Sequence, residues 1–257
     1  MVTQSILSGI KKYLIHNKLP QMNLIKDVWL SKQLKLNAFN LKNVNLLNIN
    51  FLKKKNLFIT AKIKQTKKNS NNKILNKYFK FVDFNIQFYK KFSFDKKNNL
   101  KKNNISYRFA KKNDKKKITN ISNNALEFSR FNLDSRISKK TSKKIQSEWI
   151  SSFFKGKRGD HLIVAEYKKD ICGFLLIISY KNTMTIDLIA TANNFQRKGV
   201  ASGMISFALK NKFKNKAKII VGTQKSNLKS VNFYKKLGFK KKIIYSFFHY
   251  LKKNLNV

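Results

Sequence analysis

The stretch NNFQRKGVASGM, residues 193–204, sets two of the chain's eight glycines between an apolar β-branched run, TIDLIATA, and an amphipathic one, ISFALKNKF. The hydrophobic period changes across it from two to 3.6, which reads as a strand that turns into a helix. Such a turn gathers unpaired backbone amides and the positive end of the helix dipole around one small space, and that space suits a phosphate. Gly199 would let the backbone approach an anion with no Cβ in the way. The order Gln196-Arg197-Lys198-Gly199-Val200-Ala201 is Q-x-x-G-x-A. It is neither the G-x-G-x-x-G of dinucleotide sites nor the G-x-x-x-x-G-K-S/T of NTP loops, so both readings lose support. Of the other six glycines only Gly9 lies before residue 150, which puts the tight backbone work in the second half.

From Ser106 onward the periods alternate. YRFAKK reads as a strand, TNISNNALEFSRF as a helix, and TSKKIQSEWISSFFKG as a second helix with Ile145, Trp149, Ile150 and Phe153 on one side. HLIVAEYK and ICGFLLIISYK read as a hairpin turned at KKD, followed by the strand TMTIDLIATA. The helix GVASGMISFALKNKF, the strand AKIIVGTQ, the helix NLKSVNFYKKLGF and the strand IIYSFFHYL complete an α/β domain with a mixed sheet. The segment FDKKNNLKKNNI, 94–105, is polar and aperiodic, as a linker or exposed loop would be. It divides the chain into a smaller α/β unit, 1–104, and a larger one, 105–257, that holds the glycine turn. In the first half LFITAKI…KILNKYFKFVDFNIQFY repeats the order strand, short helix, strand of KIIVGTQ…SVNFYKKLGFKKKIIYSFF, without a glycine turn. A duplication with one half stripped of its ligand loop accounts for this; so does coincidence between two ordinary patterns.

The formal net charge of +46 invites a nucleic-acid reading. Only five of the 57 basic residues are arginine, however, although guanidinium is the better bidentate phosphate reader. No basic stripe is interleaved with exposed aromatics, and the joint excess of Lys, Asn, Ile and Phe follows A/T-rich codons. The charges are therefore expected on solvated faces, with no specific nucleic-acid partner. The single Cys172 permits no internal disulfide, and with three scattered histidines it leaves no Cys/His zinc site, so no metal is expected. The longest apolar run, FLLII at 174–178, is far short of a membrane span. MVTQSILSGIKKYLIHNKLP has Lys inside its apolar stretch and no small-residue cleavage site, unlike an export signal, so a cytoplasmic protein is expected.

QRKGVA after TIDLIAT, then the strand KIIVGTQ, then Asn227-x-x-Ser230-x-x-Phe233-Tyr234-x-x-x-Gly238-Phe239, together resemble the GNAT superfamily of acetyl-CoA-dependent N-acetyltransferases. The resemblance implies the GNAT fold, a mixed and mostly antiparallel sheet whose fourth and fifth strands splay apart. It implies that the amides of Gln196, Arg197, Lys198, Gly199, Val200 and Ala201 hold the coenzyme A pyrophosphate. The pantetheine arm would run along Leu188, Ile189, Ala190 and Thr191, with Asn227 and Ser230 also at the cofactor. Upstream, SRFNLDSRI (129–137), QSEWISSFFKG (146–156) and YSFFHYLKK resemble the nucleotide-sugar amine acetyltransferases typified by TDP-fucosamine acetyltransferase. The non-catalytic, half-GNAT-like N-terminal domain of that group has counterparts in VWLSKQLKLNAFNL, FITAKI and NKYFKFVDFNIQF, although Tyr78 stands where a helix-ending Gly is usual. The implied acceptor is an amino-deoxy sugar on a nucleotide diphosphate, such as a TDP-4-amino-4,6-dideoxyhexose, used for surface polysaccharide. A protein N-terminus or small amine is the alternative acceptor, and a basic nucleic-acid-binding protein on a relic GNAT fold is the alternative class. Whether two copies form a homodimer is left open.

Acetyl transfer from a thioester to an amine needs the amine neutral, the carbonyl polarised and the departing thiolate protonated. Tyr234 shares a helix face with Ser230 and Asn227. The resemblance implies that it protonates the sulfur; on pattern alone a half-buried core aromatic is the alternative. Asp187 alternates with Thr185 and Ile189, which puts all three on one strand face. It is either a base acting through water or a carboxylate paired with a lysine. Glu166 is expected to face solvent and His249 to be structural. Arg130, beside Phe131 in the segment that resembles the sugar-nucleotide group, either contacts a diphosphate or pairs with Asp134 or Glu148.

Overall fold

The computed structural model describes residues 23–66, 72–92, 104–213 and 217–253. The first half supplies β1 (Leu24–Lys26), α1 (Val28–Leu34), β2 (Asn37–Leu41), β3 (Leu57–Lys64), α2 (Lys73–Tyr78) and β4 (Lys80–Phe92). The second half opens with β5 (Ile105–Phe109), α3 (Lys115–Ala125), α4 (Arg130–Leu133) and α5 (Lys139–Phe154). It continues through β6 (His161–Tyr167), β7 (Asp170–Tyr180), β8 (Thr183–Thr191) and α6 (Val200–Lys212), and ends in β9 (Ala217–Gln224), α7 (Leu228–Lys236) and β10 (Lys240–Lys252). All ten strands form one sheet, in the order β1-β2-β3-β10-β4-β9-β8-β7-β6-β5. It is mixed and mostly antiparallel; only β2–β3 and β8–β9 run parallel.

The order of strands shows that each half lends a strand to the other. β4 pairs antiparallel with β9, β10 pairs antiparallel with β3, and β4 and β10 pair with each other in the middle. The two strand–helix–strand units noted in the sequence, β3–α2–β4 and β9–α7–β10, are thus related by an exchange of their last strands. The expected linker, 94–105, and the N-terminal segment judged not to be an export signal lie almost wholly outside the described residues. We keep the division at 104 as a proposal about sequence units; in the sheet, the strands on its two sides interleave.

Strand alternation puts apolar side chains on both faces, as a sheet covered twice requires. Ile163 and Ala165 of β6 join Met184, Ile186, Val221, Val231 and Tyr234 beneath α6 and α7. Leu162 and Val164 turn the other way, toward Ile118 and Ile121 of α3 and Ile150 of α5. One helix turn earlier, Ile145 of α5 enters a separate cluster with Leu30, Phe58 and Phe131. α5 therefore lies across both halves of one face. Leu57, Ile59, Ala61, Leu75 and Phe79 fill the remaining quadrant under α2.

Two local expectations change. The helix placed over TNISNNALEFSRF ends at Ala125, and a separate short helix starts at Arg130. The cause is side-chain competition for the backbone: Ser129 accepts the Asn132 amide, while Asn132 and Gln146 both donate to the Leu126 carbonyl. The other change is in β8, where pairing with β7 steps from Leu176↔Leu188 to Ile177↔Ile186 and leaves Asp187 as an extra residue. This β-bulge reverses the alternation: Met184, Ile186 and Ile189 pack toward α6, whereas Leu188 and Ala190 pack toward α3 and α5. Thr185, Asp187 and Ile189 consequently do not share a face. Among the described residues no helix is long and apolar enough to cross a membrane.

Candidate active site

The parallel pairing of β8 with β9 covers only Thr183↔Lys218 to Ile186↔Val221. Beyond it β8 continues to Thr191 while β9 stays with β4 as far as Asn85↔Gln224. The two strands separate at the bulge, so among the described residues Leu188, Ile189, Ala190 and Thr191 have no strand partner on the β9 side. Their backbone groups on that edge are available to a ligand.

β8 leads directly into the start of α6. Gly199 has φ 82° and is the helix N-cap, and no side chain caps the first turn that contains the Val200 and Ala201 amides. Arg197 is also left-handed, at φ 63°. Gln196 donates from its amide side chain to Asn193, Arg197 and Lys198 are exposed, and the Lys198 ammonium lies 5.2 Å from the Phe195 ring centre. The second glycine of the opening stretch has a different reason. A Cβ at Gly203 would run into the hydroxyl end of Tyr107 from β5, so that residue is small because α6 lies on Tyr107.

Across the opening, Asn227 caps α7 by accepting the Ser230 amide at 3.1 Å. One turn further on, Tyr234 is only 2% exposed, so it is fully rather than half buried. Its ring packs against Phe88 of β4 and Phe239, with centres 6.0 and 5.4 Å away. Burial pushes the phenol pKa well above its ordinary value, which keeps Tyr234 in the neutral form that still carries its proton. The turn before α7 is held from the first half: buried Asp83 of β4 accepts from the Ser226 hydroxyl at 2.6 Å and from its amide at 3.2 Å.

The opposite face of the sheet carries the charged groups. Both oxygens of Asp187 are taken by Arg158, at 2.7 and 3.0 Å, and the Arg158 guanidinium lies 5.3 Å from the Trp149 ring centre. The ion-pair alternative for Asp187 thus forms, with an arginine where a lysine was expected. Arg130 makes neither of its expected pairs. Asp134 is fully buried and bound by Arg136 and by His249 Nδ1 at 3.0 Å, while Glu148 meets Lys155. Burial works to raise the Asp134 pKa, but the His249 and Arg136 bonds overcome it and hold the carboxyl well below the usual range. Arg130 instead stacks its guanidinium 4.7 Å from the Phe131 ring centre and 5.2 Å from that of Phe247, with Nε buried and unbonded. Glu166 does not face solvent either; it pairs with Arg108, which also grips Asp114. His249 is wholly buried, as a structural histidine would be.

Sequence reasoning missed Arg158, Asp83 and Phe247. Arg158 had a signal, being one of five arginines and set between Gly156 and Gly159. Asp83 becomes visible only once β4 is known to lie beside β9, and Phe247 once β10 is known to lie beside β3.

Residues 127–239 match the model of the acetyltransferase (GNAT) family. The spore coat polysaccharide biosynthesis protein SpsD of Bacillus subtilis (strain 168) is 23% identical over 137 residues, which are 53% of this chain and 47% of SpsD. The chain thus matches about half the length of that relative. Among solved structures, a functionally unknown conserved protein from Staphylococcus epidermidis ATCC 12228 superposes with a TM-score of 0.63 at 15% identity, over 92% of this chain and 94% of its own. A GCN5-related N-acetyltransferase from Sphaerobacter thermophilus superposes with a TM-score of 0.52 at 11% identity, over 77% of this chain and 61% of its own. At these identities both structures speak to the fold alone, and the fold agrees with the motifs. Over residues 127–239 the chain is therefore similar to the acetyltransferase (GNAT) family in sequence, and its fold agrees with that likeness.

Proposed function

We propose that the chain moves the acetyl group of acetyl-CoA to the amine of an amino-deoxy sugar carried on a nucleotide diphosphate, such as a TDP-4-amino-4,6-dideoxyhexose. The product would serve surface polysaccharide synthesis, and the reaction would take place in the cytoplasm. One observation carries the donor side: the unpaired edge Leu188–Thr191 runs straight into a helix start, Gly199 to Ala201, that no side chain caps. Amides there and on Gln196, Arg197 and Lys198 would receive the pyrophosphate, and the strand edge the pantetheine. Asn227 would meet the cofactor with its amide nitrogen, its oxygen being held by Ser230. On the acceptor side Arg130 supports the reading, as does the polysaccharide role in the name of SpsD; Phe131, expected at the substrate, is instead buried in the core at 1% exposure beneath Arg130.

In the reaction the neutral amine attacks the thioester carbonyl, a C–N bond forms and the C–S bond breaks. The sulfur takes the Tyr234 proton, the new ammonium loses one to water, and solvent returns a proton to Tyr234, which leaves an amide and free coenzyme A. Asp187 already accepts from Arg158 at both oxygens, so we assign it to fixing Arg158 against Trp149 and leave deprotonation of the amine to water. Thiol release from acetyl-CoA tests the reading, measured with TDP- and UDP-linked amino sugars, spermidine and N-terminal peptides. The expected outcome is a kcat/KM for one nucleotide-linked amine at least about 100-fold above the other amines. Equal rates across the panel, or a preference for peptides, would overturn it.

A further inference from the structure

We infer that the acceptor arrives with a phosphate group and that Arg130 and Lys62, cations from opposite halves of the chain that share the ring of Phe247, receive it. The inference rests on the reading above, which already sets Arg130 on the acceptor side, and adds Lys62 and Phe247 to it. Lys62 on β3 is the direct cross-strand partner of Phe247 on β10. Its ammonium lies 5.8 Å from the Phe247 ring centre and 4.2 Å from that of Tyr245, the neighbouring aromatic on the same face. Arg130 covers the same Phe247 ring from α4. Two cations are thus held around one almost buried aromatic residue, itself 6% exposed.

Among the described residues no carboxylate forms an ion pair with either cation. Asp27, whose charge favours Arg130, has Oδ1 committed to the Leu30 amide and Oδ2 to Asn40. Asp134, Asp187 and Asp83 are taken by Arg136 with His249, by Arg158 and by Ser226. With 11 acidic residues against 57 basic ones most cations of this chain have no carboxylate partner, so it is the buried Nε of Arg130, and not the missing ion pair, that singles this pair out. A guanidinium whose Nε is shut from solvent and unbonded is costly unless an anion completes it. Burial lowers the Arg130 pKa to about 10, Asp27 opposes this, and Arg158 adds to it. Burial and then Arg130 lower that of Lys62. An incoming anion relieves both.

The geometry favours phosphate over a single carboxylate, because a planar fork and a flexible point charge together reach several oxygens. It also separates this anion from the coenzyme. The start of α6 belongs with the cluster that holds Met184 and Tyr234, whereas Arg130 and Phe131 lie on the face covered by α4 and α5. Arg158, which acts electrostatically on Arg130, bonds Asp187 at the point where β8 and β9 part.

The test is calorimetric titration of inorganic pyrophosphate into the full chain already saturated with coenzyme A. Wild type should bind, Arg130→Gln should weaken binding by about tenfold or more, and Lys62→Gln by several-fold. Lys143→Gln, an exposed control on α5, should change nothing. Lys62 has part of its side chain in solvent, so its substitution reports on the site even if Arg130→Gln fails to fold. Equal weakening by all three variants, or loss of all pyrophosphate binding once coenzyme A is present, overturns the inference. So does acetylation of a nucleotide-linked amine with a KM that both substitutions leave unchanged. Binding as expected without transfer to any nucleotide-linked amine would sink the acceptor assignment instead and leave the anion site standing.

Discussion

A single hydroxyl separates the two roles weighed for Tyr234. Tyr234→Phe keeps the ring between Phe88 and Phe239, so the fold and acetyl-CoA affinity should be nearly unchanged while kcat falls by about 10²–10⁴-fold. A near-wild-type rate at saturating amine would return the residue to packing alone. Asp187→Asn distinguishes its roles in the same way. Loss of the Arg158 clamp should raise the acceptor KM with a kcat drop of less than about tenfold, whereas a drop near 10³-fold at unchanged KM would restore Asp187 as the base. His249 gives a pH signature. Burial lowers its pKa, with the Asp134 bond opposing and Arg130 reinforcing. The unfolded state then takes up a proton that the folded state refuses, so stability is present above the unfolded value near about 6.5 and is lost as pH falls through it. His161 is shifted the same way by burial. The melting temperature should fall between about pH 7 and 5, and His249→Gln should flatten part of that slope. Tyr234 and Asn227 were legible because their spacing along one helix face is written in adjacent residues. The face of Asp187 was not, because a bulge depends on how the neighbouring strand pairs.

The start of α6 shows two glycines that look alike in sequence and are needed for different reasons. Gly199 is left-handed, so Gly199→Ala should cost about 1–2 kcal/mol locally and weaken acetyl-CoA binding, read as a smaller rise in melting temperature on adding the cofactor. Gly203→Ala should destabilise by about 1–3 kcal/mol through overpacking against Tyr107, with acetyl-CoA affinity retained. Adding Tyr107→Val should recover part of that loss, and strict additivity of the two changes would count against the contact. The strand-to-helix turn itself was visible from the change of hydrophobic period. The partner of Gly203 was not, since Tyr107 lies almost a hundred residues earlier. The break between α3 and α4 escaped for a related reason: the Leu126 carbonyl is taken by Gln146 of another helix.

At the scale of the whole molecule, the strands of the second half and its helices other than α4 were legible from their period, and so was the repeat of β3–α2–β4 in β9–α7–β10. What local pattern does not contain is which strand lies beside which, since β10 would satisfy its alternation equally well next to β4 alone. Because β10 fills the place between β3 and β4, residues 105–257 made alone should be poorly soluble, and co-expression with 1–104 should restore a soluble pair by size exclusion. A soluble, active 105–257 fragment would show that the exchange adds little. The same arrangement sets a timetable. On the ribosome β3 and β4 emerge with nothing between them, and the strand that joins them begins only at Lys240. Closing so long a loop is slow, and the exposed strand edges invite wrong partners meanwhile. A nascent chain stalled anywhere before β10 holds two open edges and no finished first half, so a strand made about 150 residues after β4 completes the sheet of the first half.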